Sequence, residues 1–323
     1  MIRNKNILIT GGAGFIGSHL FERLISNDNF IVVVDNFNDY YQGKTQNFKS
    51  ITEGFKSNRD FKLIKGDLLN NGLYETINYD IDVIFHLAAQ PGVRYSIEHA
   101  AEVTHNNITS TVNLFEYGLN EDIEKVVFAS SSSIYGNPEY TPVDEKHPKD
   151  PISPYAVTKL CCEEYADYYF REYNLPVTSL RFYTVFGPRG RPDMAIRKFF
   201  NLIFKGKPIN IYGDGTQLRD FTYVSNIIDG LILAAEIEES SGKAFNLGCS
   251  DPISIDDLVN KMYKITGKAK NVKYTDERKG DVDITHADIT KAKNILGYNP
   301  IVDIDKGLKL TYEWQKKFLN KNL

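Results

Sequence analysis

An α/β fold built on a doubly wound parallel sheet, with a smaller C-terminal α/β domain, is predicted by three observations. Short β-rich apolar runs alternate with longer amphipathic ones through the first half of the chain. A glycine-rich turn follows the first of these runs and opens a helix. Beyond residue 182 the texture changes to punctuated turns and separate helices.

The runs at 7–10, 31–34, 61–64, 83–87 and 126–129 are short and β-rich, as buried parallel strands are. Between them, helices are expected at Phe15–Ile25 and over 99–117; a longer one over 153–173 precedes a strand at Val177–Phe182. Gly187-Pro188-Arg189-Gly190-Arg191-Pro192 breaks the pattern, and Gly213-Asp214-Gly215 reads as a turn. Further helices are expected over 195–205, 225–237, 254–266 and 304–318. The domain division that follows is 1–182 for the first unit, rejoined by a return segment around 219–247, and 183–218 with 248–323 for the second.

Of the 323 residues, 42% are hydrophobic and 25% charged, enough apolar sequence for a large core without disulfides or structural metals. With 38 Lys+Arg against 42 Asp+Glu the net charge is −4, which argues against a nucleic-acid or anionic-membrane binder acting by bulk charge. The three cysteines, Cys161, Cys162 and Cys249, fit no metal-ligand spacing, so a reduced, cytoplasmic setting is expected. No apolar run approaches the ~18 residues of a membrane span, and Met-Ile-Arg-Asn-Lys-Asn lacks the apolar stretch of a signal peptide.

Thr10-Gly11-Gly12-Ala13-Gly14-Phe15-Ile16-Gly17 is a phosphate turn of the Rossmann type. Gly11 allows the tight turn, Gly14 close backbone approach to a pyrophosphate, and Gly17 close helix–strand packing, while the helix N-terminus offers free N–H groups to the phosphates. Asp35 ends the second strand, where a carboxylate accepts bonds from the adenosine ribose and repels a 2′-phosphate; NAD is favoured over NADP. Asp67, in Gly66-Asp67-Leu68, is either a reader of the adenine or an ordinary turn residue.

Tyr155 and Lys159 lie four apart in a helical segment and so share a face. An ammonium beside a phenol lowers a pKa that is ~10 when free, so the phenolate becomes a base able to take a sugar hydroxyl's proton. Ala129-Ser130-Ser131-Ser132-Ser133 ends the preceding strand, on the side of the sheet where such folds bind ligands. A hydroxyl there can relay the proton to Tyr155.

Together with His86-Leu87-Ala88-Ala89-Gln90 and Arg219-Asp220-Phe221-Thr222-Tyr223-Val224, these motifs resemble the extended short-chain dehydrogenase/reductase family, and within it the nucleotide-sugar 4-epimerases. The resemblance implies NAD as a tightly held cofactor, Tyr155 as base, Lys159 on the nicotinamide ribose, Ser131 as hydroxyl partner, and a homodimer formed through the helices around 99–117 and 153–173. It extends the cofactor site from Gly11, Gly14, Gly17 and Asp35 to Phe15, Ile16, Asn36, Asp67 and Leu68. Leu87, Ala88, Ala89, Gln90, Asn107 and Phe182 complete that site. No metal is implied.

The branch of the family is chosen by neighbouring residues. Nucleotide-sugar 4,6-dehydratases carry an Asp–Glu pair where this chain has Ser132 and Ser133, and UDP-glucuronate decarboxylases a Glu at Ser133. Their absence leaves epimerisation: oxidation at C4, rotation of the keto sugar, and return of the hydride to its other face. Thr184 followed by Gly190-Arg191-Pro192-Asp193-Met194-Ala195 is similar to the UDP-glucuronate 4-epimerases, whereas UDP-glucose/galactose enzymes generally have Asn at Thr184. Gln90-Pro91-Gly92-Val93-Arg94-Tyr95-Ser96 is close to the same subgroup, and Arg189, where the subgroup more often has Trp, departs from it.

A sugar carboxylate needs a cation or several donors, which Arg191 with the Ser132, Ser133 and Thr184 hydroxyls would supply. Holding it firmly also guards the β-keto acid formed at C4 against loss of CO2. Arg94 joins the substrate set; Arg219 and Arg278, with Asp281, are similar to the family's diphosphate and ribose contacts. The alternatives are a UDP-glucose/UDP-galactose 4-epimerase in which Arg191 only braces its loop, a lyase acting on the keto sugar, and a non-catalytic NAD-binding regulator.

Overall fold

The computed structural model describes residues 2–276 and 282–321. β1 (Asn6–Thr10) leads through the glycine turn into α1 (Phe15–Ile25), followed by β2 (Phe30–Asp35), α2 (Lys44–Thr52), β3 (Phe61–Lys65) and β4 (Val83–His86). A broken helical stretch comes next: α3 (Val93–Glu98), α4 (Ala100–Thr104), a π turn at His105–Thr109 and α5 (Ser110–Asn120). Then come β5 (Lys125–Ser131), α6 (Pro154–Tyr173), β6 (Val177–Phe182), β7 (Val185–Phe186), α7 (Ala195–Phe204), β8 (Ile209–Tyr212) and β9 (Leu218–Arg219). β10 (Thr222–Tyr223), α8 (Val224–Glu236), β11 (Lys243–Leu247), β12 (Ile253–Ser254), α9 (Ile255–Thr266), β13 (Val272–Thr275), α10 (Thr290–Leu296) and α11 (Ile304–Lys321) follow.

The main sheet has seven strands in the order β11-β6-β5-β4-β1-β2-β3. Every pairing in it is parallel. Strand order reverses between β1 and β4, and ligands of such sheets bind at that switch point, beyond the carboxyl ends of the strands. Thr10, Asp35, His86, Ser131 and Phe182 are the last residues of their strands and all lie at that edge.

Each central strand is apolar on both faces, as a sheet covered on both sides requires. Ile7, Ile9, Ile31, Val33, Val127 and Ala129 enter one buried cluster, and Leu8, Val32, Val34, Val126 and Phe128 the other. The period of two along each strand therefore feeds two cores at once. Fully burying such a side chain contributes about 1.5–3 kcal/mol relative to exposure.

α6 carries the residues of greatest interest and has clear boundaries. Ser153 Oγ caps the Ala156 N–H at 3.2 Å, Pro154 sits in the first turn, and Asn174 closes the helix in the left-handed region at φ 58°. In the second unit β8 pairs in parallel with β13, and α11 lays Tyr312 across Phe200 and Phe204 of α7 at 5.7 and 5.5 Å.

Three elements differ from the sequence expectation. The helix expected over 99–117 is interrupted at His99, where φ is −128°, and by the π turn. α2 buries only Asn47, Phe48 and Ile51 of an otherwise polar segment, held by Phe48 against Phe21 and Phe61. β8 and β13 are edge pieces with mixed burial, stabilised by each other across a long sequence separation rather than by local pattern. No described helix is long and apolar enough to cross a membrane.

Candidate active site

The site is built from the strand ends upward. Gly11 turns the chain at φ +70° with its N–H on Val34 O at 2.7 Å, and a Cβ there would meet Ala88 N at 2.8 Å. Gly14 donates to Gly11 O at 3.0 Å, and a Cβ on Gly17 would fall on that same carbonyl. Gly17 thus packs the helix against the turn rather than against a strand. Gly12, which the motif reading left without a role, lies where a Cβ would strike Val33 Cγ1 at 2.6 Å. No side chain caps the N-terminus of α1, so its N–H groups are available to an anion.

Asp35 is 7 % exposed and accepts from Ala13 N at 3.0 Å and Phe37 N at 2.8 Å. Burial pushes its carboxyl up, and these two bonds and the Lys44 ammonium push back. Lys44, which no motif marked, is held by Asn38 O at 3.0 Å beside the cleft. Asn36 Nδ2 donates to Asp67 Oδ2 at 3.0 Å, so the two residues expected at the adenosine end are joined.

Leu68, Leu87, Ala88, Ala89 and Gln90 line this first cleft with Phe15, Ile16 and Phe182, as expected. Asn107 does not. Its Oδ1 accepts from Gln90 N at 2.7 Å, and its Nδ2 donates to Gln90 O at 3.2 Å and Thr158 Oγ1 at 3.0 Å. With its amide committed to holding the Gln90 backbone, Asn107 braces the cleft from behind, while Asn106 and Ser110 line it. The Nε2 of Gln90 itself is buried without a partner.

Tyr155, Lys159 and Ser131 converge at the inner end. Ser131 Oγ accepts from Ser133 Oγ at 2.9 Å and Ser133 N at 3.2 Å, and lies close enough to the Tyr155 phenol to lower its pKa. Lys159 Nζ donates to Ala129 O at 2.7 Å and stands 5.9 Å from the Tyr155 ring centre. Burial pulls its pKa down to about 8. Burial raises the Tyr155 pKa, and the Arg191 charge and then Ser131 oppose the rise. Lys159's ammonium is turned to the β5 carbonyl.

A second cleft of about 580 Å³, within the range of small-molecule sites, opens from the same point. Ser131, Ser132, Ser133, Thr184, Arg94, Arg191 and Arg219 all line it. Arg94 lies 5.9 Å over the Tyr212 ring, and Arg219 holds the carbonyls of Leu218 and Asp283 at 2.8 and 3.1 Å. Arg191 is only 18 % exposed and is paired through Nε and Nη2 with the Asp193 carboxylate at 3.1 and 2.8 Å. Arg278 and Asp281 lie outside the described residues. Lys198, Asn210 and Gln217 also face this cleft; they sit in α7, in β8 and just before β9, segments with no motif to flag them. Tyr155 and Arg191 border both clefts.

The model of the GDP-mannose 4,6 dehydratase family matches residues 8–311. The chain belongs to the extended short-chain dehydrogenase/reductase family. Among its relatives, UDP-glucuronate 4-epimerase of Thermodesulfobacterium geofontis is 40% identical over 314 residues, 96% of each chain. The structure of UDP-glucuronic acid 4-epimerase from Bacillus cereus, in complex with UDP-glucuronic acid and NAD, superposes with a TM-score of 0.90 at 38% identity, covering 97% of this chain and 99% of that one. UDP-glucose 4-epimerase of Thermotoga maritima with UDP-glucose gives a TM-score of 0.90 at 35% identity, with 97% and 99% covered. The dehydratases that name the family model carry an acid pair where this chain has Ser132 and Ser133, so the shared family does not bring the shared reaction.

Proposed function

We propose that the chain is an NAD-dependent 4-epimerase interconverting UDP-glucuronate and UDP-galacturonate, with Tyr155 as the base. One observation carries the reading: Tyr155, with Ser131 beside it, sits where a cofactor cleft meets a substrate cleft lined by Ser132, Ser133, Thr184 and Arg191. Epimerases of both neighbouring substrate classes share this fold and bind UDP-sugars.

The first cleft fits a dinucleotide. Its turn leaves no room for a Cβ at Gly11, no side chain of the cap residue bonds the α1 N-terminus, and the buried Gln90 Nε2 lacks a partner. Gly11, Gly14, Gly17 and α1 would hold the pyrophosphate, Asp35 and Asn36 the adenosine ribose, and Asp67 with Leu68 the adenine. Lys159, Ala88 and Phe182 would hold the nicotinamide end. NAD supplies an acceptor for the C4 hydride and gives it back, so no net redox change results.

The chain's own residues handle protons and position. Tyr155 takes the proton of the C4 hydroxyl, directly or through Ser131, holds it while the keto sugar turns, and returns it to the new alcohol. The Arg191 charge favours the phenolate this requires. Ser132, Ser133, Thr184 and Arg191 grip the carboxylate away from the alignment that would release CO2, and Arg94 and Arg219 anchor the diphosphate. Residues 1–182 with the 219–247 return serve the cofactor, and the remainder serves the nucleotide sugar.

The same reading places the enzyme in the cytoplasm, where Cys161, Cys162 and Cys249 stay as free thiols. It also makes it a homodimer: Val157, Tyr165 and Tyr168 leave an exposed apolar stripe along α6.

A second reading, UDP-glucose 4-epimerase, is favoured by the Arg191–Asp193 pair, in which the arginine's charge is already partly neutralised. Proton NMR of UDP-glucuronate and UDP-glucose incubated separately with the enzyme decides between them. Conversion of the acidic sugar alone upholds the proposal; conversion of UDP-glucose alone replaces it with the second reading.

A further inference from the structure

One buried ion pair lies directly behind the reacting residues and has no part in the mechanism given so far. Glu163 follows Tyr155 and Lys159 at the next helical repeat of α6, on the same inward face, and is 6 % exposed. Its Oε2 accepts from Arg181 Nη2 at 2.7 Å and Nε at 3.2 Å, and its Oε1 accepts from Arg181 Nε at 3.0 Å and from the Ser130 hydroxyl. Arg181, on β6, is itself 3 % exposed and passes its second branch to Tyr135 OH at 2.6 Å. Tyr135 in turn donates to Asn246 Oδ1 at 2.8 Å on β11.

The ends of β5 and β6 are therefore tied directly to one carboxylate on α6, and β11 is joined to it through Tyr135 and Arg181. Ser130 is the residue before Ser131, and Lys159 Nζ is bonded to the carbonyl of Ala129, the residue before Ser130. β5 thus reaches the site pinned at two successive residues, by α6 on both occasions. Removing one partner of a buried ion pair leaves an uncompensated charge, so the arrangement is stiff.

We propose that Glu163 is a positioning residue for the epimerase: by clamping Ser130 it sets the Ser131 hydroxyl against the Tyr155 phenol, and it supplies the negative charge that faces Lys159 from the next turn. The proposal rests on the assignment of Tyr155, Lys159 and Ser131 made above. Burial lowers the Lys159 pKa, and Cys162 and then Glu163, on its own helix, oppose this. From the sheet, His86 on β4 lies close enough to feel the Lys159 charge. Glu163 faces Arg181 from β6, Tyr135 from the turn after β5, and Lys291 from α10.

The test uses the NAD-loaded enzyme and two variants. Ser130→Ala cuts the hydroxyl clamp and leaves the ion pair intact. Glu163→Gln combined with Arg181→Met removes both charges together, which avoids an orphaned one. Both are expected to lower kcat about 10- to 100-fold with KM changed less than about twofold, the pattern of lost positioning in the transition state. Only the double variant should also move the alkaline limb of the kcat–pH profile to lower pH, because Lys159 loses the carboxylate one turn along α6 that raises its pKa. A folded Ser130→Ala enzyme with kcat within about twofold of the parent overturns the clamp. An unmoved alkaline limb in a folded double variant overturns the electrostatic part; if that variant does not fold, Ser130→Ala alone decides. Tyr155→Phe is assayed alongside: activity in it would sink the base assignment, whereas an inactive Tyr155→Phe with a normal Ser130→Ala sinks only the role of Glu163.

Discussion

Arg191 and Asp193, two residues apart in the loop between β7 and α7, form a two-point ion pair at 3.1 and 2.8 Å at the junction of the two clefts. The pair orients the guanidinium, whose charge also bears on Tyr155. A sugar carboxylate must therefore share an arginine already half neutralised, with the three hydroxyls supplying the remaining donors.

Arg191→Ala is expected to lower kcat/KM for UDP-glucuronate by a further 10- to 100-fold beyond any loss it causes with a neutral UDP-sugar, about the value of a hydrogen bond to a charged group. Steady-state kinetics on both sugars measure this. Equal losses would move Arg191 out of the carboxylate site and leave it acting only on the phenol.

Tyr155→Phe removes a hydroxyl from a half-buried residue without otherwise changing its shape. Retained fold and retained NAD are expected, with kcat reduced about 100- to 10,000-fold, the range of lost general acid–base catalysis. Absorbance of the bound cofactor and turnover of UDP-glucuronate check the two halves separately. Turnover near the parent value would contradict the role of Tyr155.

Lys159 gives opposite pH trends for activity and for stability. Burial holds its folded pKa at about 8, below the ordinary lysine value of 10.5. Between these values the unfolded chain binds the extra proton, so this group's contribution to stability grows as pH rises from about 8 to 10.5 and is lost as pH falls through 8. The ammonium is the form proposed to hold the nicotinamide end, so activity is expected to decline across the same window. Urea titrations of the cofactor-free protein and of Lys159→Met, against pH, should show the rise in the parent alone; a parallel pH dependence in both would remove Lys159 as its source.

Gly11→Ala meets two obstacles, a left-handed φ of +70° and the Ala88 backbone at 2.8 Å. A loss of about 1–3 kcal/mol for the backbone strain is expected, together with loss of retained NAD. Denaturant unfolding and the cofactor content of the purified protein measure both. Undiminished NAD content would show that the turn can shift.

Much of the fold was legible because its strands are buried on both faces and its helices bury one. β1 and the turn to α1 combine apolar period, glycine spacing and an acidic residue at the end of β2, three signals that agree. α2 and the β8–β13 pair lack such agreement: the first buries three side chains, and the second exists only through pairing of distant segments. In the site, motif residues were found and their partners were not. Asn107 was read as touching cofactor, yet a π turn, invisible to period counting, aims it at the Gln90 backbone. A helical spacing of four brings Lys159 to the face of Tyr155 but does not reveal that its ammonium also holds the Ala129 carbonyl. Glu163 carried no signal beyond its register, since its partners come from β5 and β6.

The central claim, reversible oxidation at C4 of an acidic UDP-sugar, is tested most directly with UDP-glucuronate deuterated at C4, followed by NMR in ordinary water. The account predicts UDP-galacturonate with deuterium retained at C4 and none released to solvent. Absence of the epimer, or an epimer that has lost its C4 deuterium to water, would contradict it.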